Sequence, residues 1–203
     1  MYPASFEYVR AENLEHALDL LTHHGTDARV LAGGQSLLPL MKQRAIAPKV
    51  TVDISRLYGL RDIEDHDDIL AMGALVRHAD IGGRDLRGRL ALLADTASVI
   101  GDVQVRNLGT VTGSIAHADP VGDWAPALIA LRASLSVRSL RGERSIPVTD
   151  LISDAFTNTL LPDEIITAVQ VPRSTGVGGS AYLKLGRRIG DFGIASVAAS
   201  LGF

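Results

Sequence analysis

Residues 32–44 read AGGQSLLPLMKQR. The short apolar run ARVL, Ala28–Leu31, leads into Gly33-Gly34. An amide and a hydroxyl follow at Gln35 and Ser36, and a second apolar run starts at once at Leu37. The charges come only at Lys42 and Arg44. Glycine admits positive φ and lets a ligand approach the main-chain N–H groups closely. Successive N–H groups form an anion-binding nest, to which Ser or Thr hydroxyls add donors. A stretch of this kind suits an anion held by backbone dipoles without a lysine; the alternative reading is a tight turn after a strand. A second stretch of the same make occurs at Thr110–Ser114, TVTGS. Two such segments converging would cradle a diphosphate.

The usual nucleotide fingerprints are missing. There is no G-x-x-x-x-G-K-[ST] and no G-x-G-x-x-G between a strand and a helix, so a nucleotide here needs a fold other than the P-loop or Rossmann type. The 203 residues are 46% hydrophobic and 21% charged, enough for one domain or two small ones sharing a core. A net charge of -3 argues against a nucleic-acid surface, and Arg187-Arg188 reads as a solvated face. The chain has no cysteine, which excludes disulfides, thiolate zinc and any iron–sulfur cluster of its own. MYPASFEYVR lacks the apolar centre of a signal peptide, and no apolar run of about 18 residues suggests a membrane span; the expected location is the cytoplasm. His117 and Asp119 lack a third metal ligand, so no metal site is assigned, and Asp119 is expected to organise the turn before Pro120. No Ser-His-Asp arrangement or carboxylate pair marks a catalytic residue.

The periodicities predict the following elements. Asn13 caps a helix carrying Leu14, Ala17, Leu18 and Leu21, which Gly25 ends. Strands are expected at Ala28–Leu31, over KVTVDIS (Lys49–Ser55) and in DDILAMGALV. Asp85–Ile100 has a helical pattern, and Asp123 is placed to cap a helix through Ala127, Leu128 and Leu131. SLSVRSLRGERSIPV reads as a hairpin turning near Arg141-Gly142-Glu143, and EIITAVQVP as a strand ended by Pro172. STGVGGSA reads as a flexible connection. IASVAASLGF reads as a buried strand that must pair backward or belong to a further domain. Asp53 finishes a strand, Trp124 packs in the core, and Lys184 read in isolation is a solvated surface residue.

Taken together, FEYVRAENLEHALDLL, AGGQSLLPLMKQR, IGDVQVRNLGTVTGSIAHADPVGDWAPAL, LPDEIITAVQVP and KLGRRIGDFGIASVA resemble, in order and spacing, the FAD-binding medium subunit of molybdenum hydroxylases, the family of the carbon monoxide and xanthine dehydrogenase flavoproteins. The resemblance implies an α+β, PCMH-type FAD-binding fold of two α/β subdomains, at residues 1–55 and 56–175, with residues 176–203 beginning a C-terminal domain. It implies that Ala32, Gly33, Gly34, Gln35, Ser36 and Leu37 bind the FAD diphosphate. Thr110, Val111, Thr112, Gly113 and Ser114 would form the second phosphate loop, with Thr112 where the family usually has a glycine. Asp123 would contact the ribityl or flavin region, Ile166 would line the ring or adenine pocket, Lys184 would contact the flavin end, and Phe192 would lie against the isoalloxazine. It further implies partners: a large subunit with molybdopterin and a small subunit with [2Fe–2S] clusters, whose electrons this chain's FAD passes to a final acceptor. The competing functions are a stand-alone PCMH-type flavin oxidoreductase and a truncated scaffold without flavin.

Overall fold

The computed structural model describes residues 2–173 and 178–202. Its first unit is a parallel three-stranded sheet. Strand β1 (Glu7–Arg10) leads through helix α1 (Leu14–His24) to β2 (Ala28–Leu31). Helix α2 (Leu37–Gln43) then leads to β3 (Val50–Asp53), and the strand order is β1-β3-β2. Asn13 caps α1 as expected, its side chain accepting from the His16 N–H at 2.8 Å, and Gly25 ends the helix at φ 51°. The stripe Ala17, Leu18 and Leu21 is buried against Val50 and Val52 of the central strand. Burying each leucine contributes about 2 kcal/mol.

The second unit is built on the antiparallel sheet β4-β5-β10-β6-β7. Strands β4 (Ile63–Asp65) and β5 (Ile69–Gly73) come first. A helical stretch follows: α3 (His78–Gly82), α4 (Ala91–Ser98), α5 (Val103–Leu108), α6 (Val111–His117) and α7 (Trp124–Ala130). The hairpin β6 (Ser134–Ser139) and β7 (Gly142–Pro147) turns where the sequence suggests. The short α8 (Val148–Leu151), β8 (Ile152–Asp154) and β9 (Thr157–Asn158) precede the central strand β10 (Ile165–Pro172). A register shift between Ile166 and Ala168 lets Ile166 and Val169 share one core although they are three residues apart. Ile165 packs instead into the core of the first unit, beside Leu57, Leu60, Ala74 and Leu75. The first core therefore extends past residue 55 and is closed by residues of the second unit.

The chain then forms an antiparallel hairpin of β11 (Gly178–Leu185) and β12 (Ala195–Gly202). Three expectations change here. First, β11 already begins at Gly178, inside the stretch read as a flexible connection; Ser174 to Val177 lie outside the described residues. Second, β12 does pair backward, but it is mostly exposed: only Ala198 and Ser200 are half-buried, and Val197 and Leu201 face outward. Third, the helical pattern of Asp85–Ile100 yields α4 only from Ala91, because Gly88 at φ 58° breaks it and a single 3₁₀ turn follows.

The inner face of β11 docks through polar side chains. Ser180 Oγ accepts the Leu92 N–H at 3.1 Å, capping the start of α4, and Lys184 Nζ donates to the Val99 carbonyl at 3.2 Å, just past its end. Between them Tyr182 donates to Asp123 at 2.7 Å.

Candidate functional site

The glycine segments, some 75 residues apart in sequence, meet in the structure. A Cβ built on Gly33 would overlap the Leu108 carbonyl oxygen and lie 2.9 Å from the Gly109 Cα, so the main chains of residues 33 and 108–109 are in direct contact. Only glycine permits that approach. This changes the reason for glycine at position 33: its missing side chain makes room for the second segment rather than for a ligand. Gly34 is needed for a different reason, its φ of 71°.

Around the first turn, Leu38 N–H donates to the Gly34 carbonyl at 3.2 Å and Leu40 N–H to that of Ser36 at 3.3 Å. Among the described residues, no backbone carbonyl accepts from the N–H groups of Gly33, Gly34, Gln35, Ser36 or Leu37. These residues are only half-buried. A run of adjacent amides without internal acceptors, open to solvent, is the arrangement that binds oxyanions. The Gln35 side chain folds back on the Gly33 carbonyl at 3.3 Å.

The second segment is not a loop in the structure: Thr110 is the N-cap of α6, and Val111 to Ser114 form its first turn. Thr110 Oγ1 accepts the Gly113 N–H at 3.1 Å. The Thr112 hydroxyl turns inward and donates to the Ala74 carbonyl at 2.6 Å, so its side chain ties α6 to the end of β5. A short antiparallel pairing fixes the segment from behind: Arg77 bridges Thr110, Val111 N–H donates to Val76, and His78 N–H donates to Gly109.

Asp123 does not cap α7 with its side chain. The carboxylate is buried and takes the Tyr182 hydroxyl on one oxygen and Lys184 Nζ, at 2.9 Å, on the other. Both side chains of the ion pair are 7% exposed, so Lys184 is the reverse of a solvated surface lysine. Burial foremost, together with the adjacent carboxylate, pushes the Tyr182 phenol above its ordinary value and keeps it a donor at neutral pH. Arg106 donates to the carbonyls of Ile100 and Gly101, both at 2.9 Å, so three successive carbonyls from Val99 are held by two cations.

Phe192 lies in the turn between β11 and β12 and is 67% exposed. Gly193 of this turn lies beside the Lys184 side chain, and Gly190 lies against Gly101. Ile166 is 5% exposed in the core of the second unit, opposite Val137. The structure thus brings Gly33 against Leu108–Gly109, just before Thr110–Ser114, and joins Asp123 with Lys184 and the turn of Phe192. Asp53 is occupied elsewhere: it accepts from Tyr8 and from the Ser55 N–H. Burial opposes its ionisation, but these bonds outweigh that and hold the carboxyl below its usual range. Tyr182 and Arg106 went unmarked in the sequence. Tyr182 was discoverable, because Ser180, Tyr182 and Lys184 alternate along a strand and must share a face.

A half-buried run of amides without backbone acceptors thus lies where the first unit meets the second. The chain belongs to the family described as the FAD binding domain in molybdopterin dehydrogenase, which it matches over residues 4–174. It is 42% identical over 200 residues to the 6-hydroxypseudooxynicotine dehydrogenase complex subunit alpha of Paenarthrobacter nicotinovorans, covering 98% of this chain and 68% of that one. It is 36% identical over 202 residues to the carbon monoxide dehydrogenase medium chain of Afipia carboxidovorans, covering 99% and 70% respectively. Its fold matches a solved carbon monoxide dehydrogenase from Hydrogenophaga pseudoflava with a TM-score of 0.94 at 37% identity, over 98% of this chain and 70% of that one. The α+β, PCMH-type fold and the FAD-binding class are thereby established. Among the described residues no helix is long and apolar enough to cross a membrane.

Proposed function

We propose that this chain is the flavin subunit of a molybdenum hydroxylase, with the FAD diphosphate lying between the amides of residues 33–37 and the first turn of α6. The observation that carries the reading is the meeting of Gly33 with Leu108–Gly109, which sets the open amides of one segment beside the helix start of the other. In this reading Ala32, Gly33, Gly34, Gln35, Ser36 and Leu37 hold one side of the diphosphate, and Thr110, Val111, Thr112, Gly113 and Ser114 the other. Asp123 faces the ribityl hydroxyls with the lone pairs left by Tyr182 and Lys184. Ile166 backs the ring or adenine pocket from the core, Lys184 contacts the flavin end, and Phe192 offers a flat surface to the isoalloxazine. FAD held by these residues would supply the redox chemistry, relaying electrons between the iron–sulfur clusters of a small partner subunit and an acceptor. The molybdopterin and the substrate belong to a large partner subunit. With no cysteine, this chain contributes positioning and burial rather than a cluster.

The test is an absorption spectrum of the protein after FAD reconstitution and desalting. Bands at about 370 and 450 nm are those of a bound oxidised flavin. Retention of less than a tenth of an equivalent, or equal retention by Gly33→Val, would sink the assignment. Isolation of the chain with an iron–sulfur and a molybdopterin subunit tests the electron-transfer role.

A further inference from the structure

His78 is 4% exposed at the start of α3, directly behind the second glycine segment. Its Nδ1 accepts the indole N–H of Trp124 at 3.0 Å, which places the ring hydrogen on Nε2. The Nε2 edge lies against Gly109: a Cβ there would stand 2.7 Å from Nε2. The backbone N–H of His78 also donates to the Gly109 carbonyl at 3.1 Å, so main chain and side chain grip the same residue. The other side of Gly109 faces Gly33. Trp124 is fully buried and directly follows Asp123. One unbroken chain of contacts therefore runs from Gly33 through Gly109, His78 and Trp124 to Asp123 and Lys184.

We propose that His78 is a positioning residue of the cofactor site, its bond to Trp124 setting the distance between the α6 start and Asp123. This rests on the reading that FAD spans those two points. The imidazole is held to Gly109 and Trp124 and acts through them. The groups facing it are Trp124 from α7, the Arg106 cation from α5 and the Gly109 main chain; on its own element Asp80 is occupied by the Arg77 N–H. Burial first, and Arg106 second, lower the imidazole to about 4, which keeps Nδ1 free to accept from Trp124 at neutral pH.

The test measures FAD affinity by flavin fluorescence for the wild type, His78→Asn, His78→Leu and Trp124→Phe, with apo-protein melting in parallel. In His78→Asn, Oδ1 still accepts the indole N–H. In His78→Leu that bond is gone with little change of volume, whereas Trp124→Phe removes it together with part of the buried ring, whose cavity cost the apo-protein melting reads separately. Loss of a buried hydrogen bond predicts about tenfold weaker FAD binding, or more, for the Leu and Phe variants. The Asn variant should stay within about threefold of the wild type on the same scale. Should His78→Leu fail to fold, Trp124→Phe against His78→Asn decides. Wild-type affinity in the Leu and Phe variants, or equal weakening in Asn and Leu, overturns the positioning role while leaving the flavin assignment standing. A wild type that binds no FAD overturns both.

Discussion

Lys184→Met tests whether the buried pair with Asp123 is structural. Methionine keeps most of the aliphatic stem and removes the charge. At 2.9 Å the attraction is about 6 kcal/mol with an effective dielectric near 20, before the cost of desolvating both groups. With each side chain 7% exposed, removing one partner leaves an uncompensated carboxylate supported only by Tyr182. Breaking such a pair costs about 3–5 kcal/mol. The bond from Lys184 to the Val99 carbonyl goes too, loosening β11 from the end of α4. For a chain of 203 residues this corresponds to a fall in Tm of roughly 10 °C. The assay is thermal and urea unfolding of the FAD-free protein for Lys184→Met, Asp123→Asn and the double variant. The double variant should cost about 2 kcal/mol less than the two singles added together, because it removes both charges. Because the pair is buried, the deficit should persist in about 1 M NaCl, where exposed pairs are screened. If Lys184→Met is within about 1 kcal/mol of the wild type, or the costs simply add, the pair does not anchor the hairpin.

Gly33→Ala should destabilise the apo-protein by about 2 kcal/mol through overlap with the Leu108 carbonyl and abolish FAD retention, whereas Gly34→Ala should cost about 1 kcal/mol from its positive φ; melting curves with and without FAD distinguish the two. Acid sensitivity should follow from His78. The unfolded imidazole takes its proton near 6.5 and the folded one near 4, so stability from this group is fully present above pH 6.5 and declines as pH falls to 4, by about 3 kcal/mol in all. Urea midpoints across that range should fall with pH in the wild type and less steeply in His78→Asn; parallel slopes would rule His78 out as the source. Ser180→Ala should cost about 1 kcal/mol by uncapping the Leu92 N–H, read from the urea midpoint.

The elements whose signals are local were legible in the sequence. Asn13 and Gly25 bracket α1, and alternation marks β6 and the second half of β10, because caps and side-chain periods act within a few residues. Both glycine segments could be singled out from composition alone. That Thr110–Ser114 starts a helix was obscured by its glycine and β-branched residues, which have low helix propensity; a helix forms there because Thr110 caps it and Thr112 bonds Ala74. The role of Asp123 escaped for another reason: a capping aspartate and an ion-paired one look alike until a strand some 60 residues later brings Tyr182 and Lys184 beside it. The exposure of β12 escaped likewise, since apolar alternation shows that a face exists but not whether anything covers it. His78 carries no sequence signal at all; its meaning arises only where Gly109 and Trp124 flank it.

Ser180 and Lys184 act as the jaws of a calliper. Four strand residues span about 13 Å and the eight residues of α4 about 12 Å, so one rigid ribbon measures the helix from end to end. Lengthening the helix by one residue, or deleting one from the ribbon between the jaws, would leave one terminus ungripped and turn Tyr182 away from Asp123. A one-residue change in either segment is therefore expected to break one of the two grips.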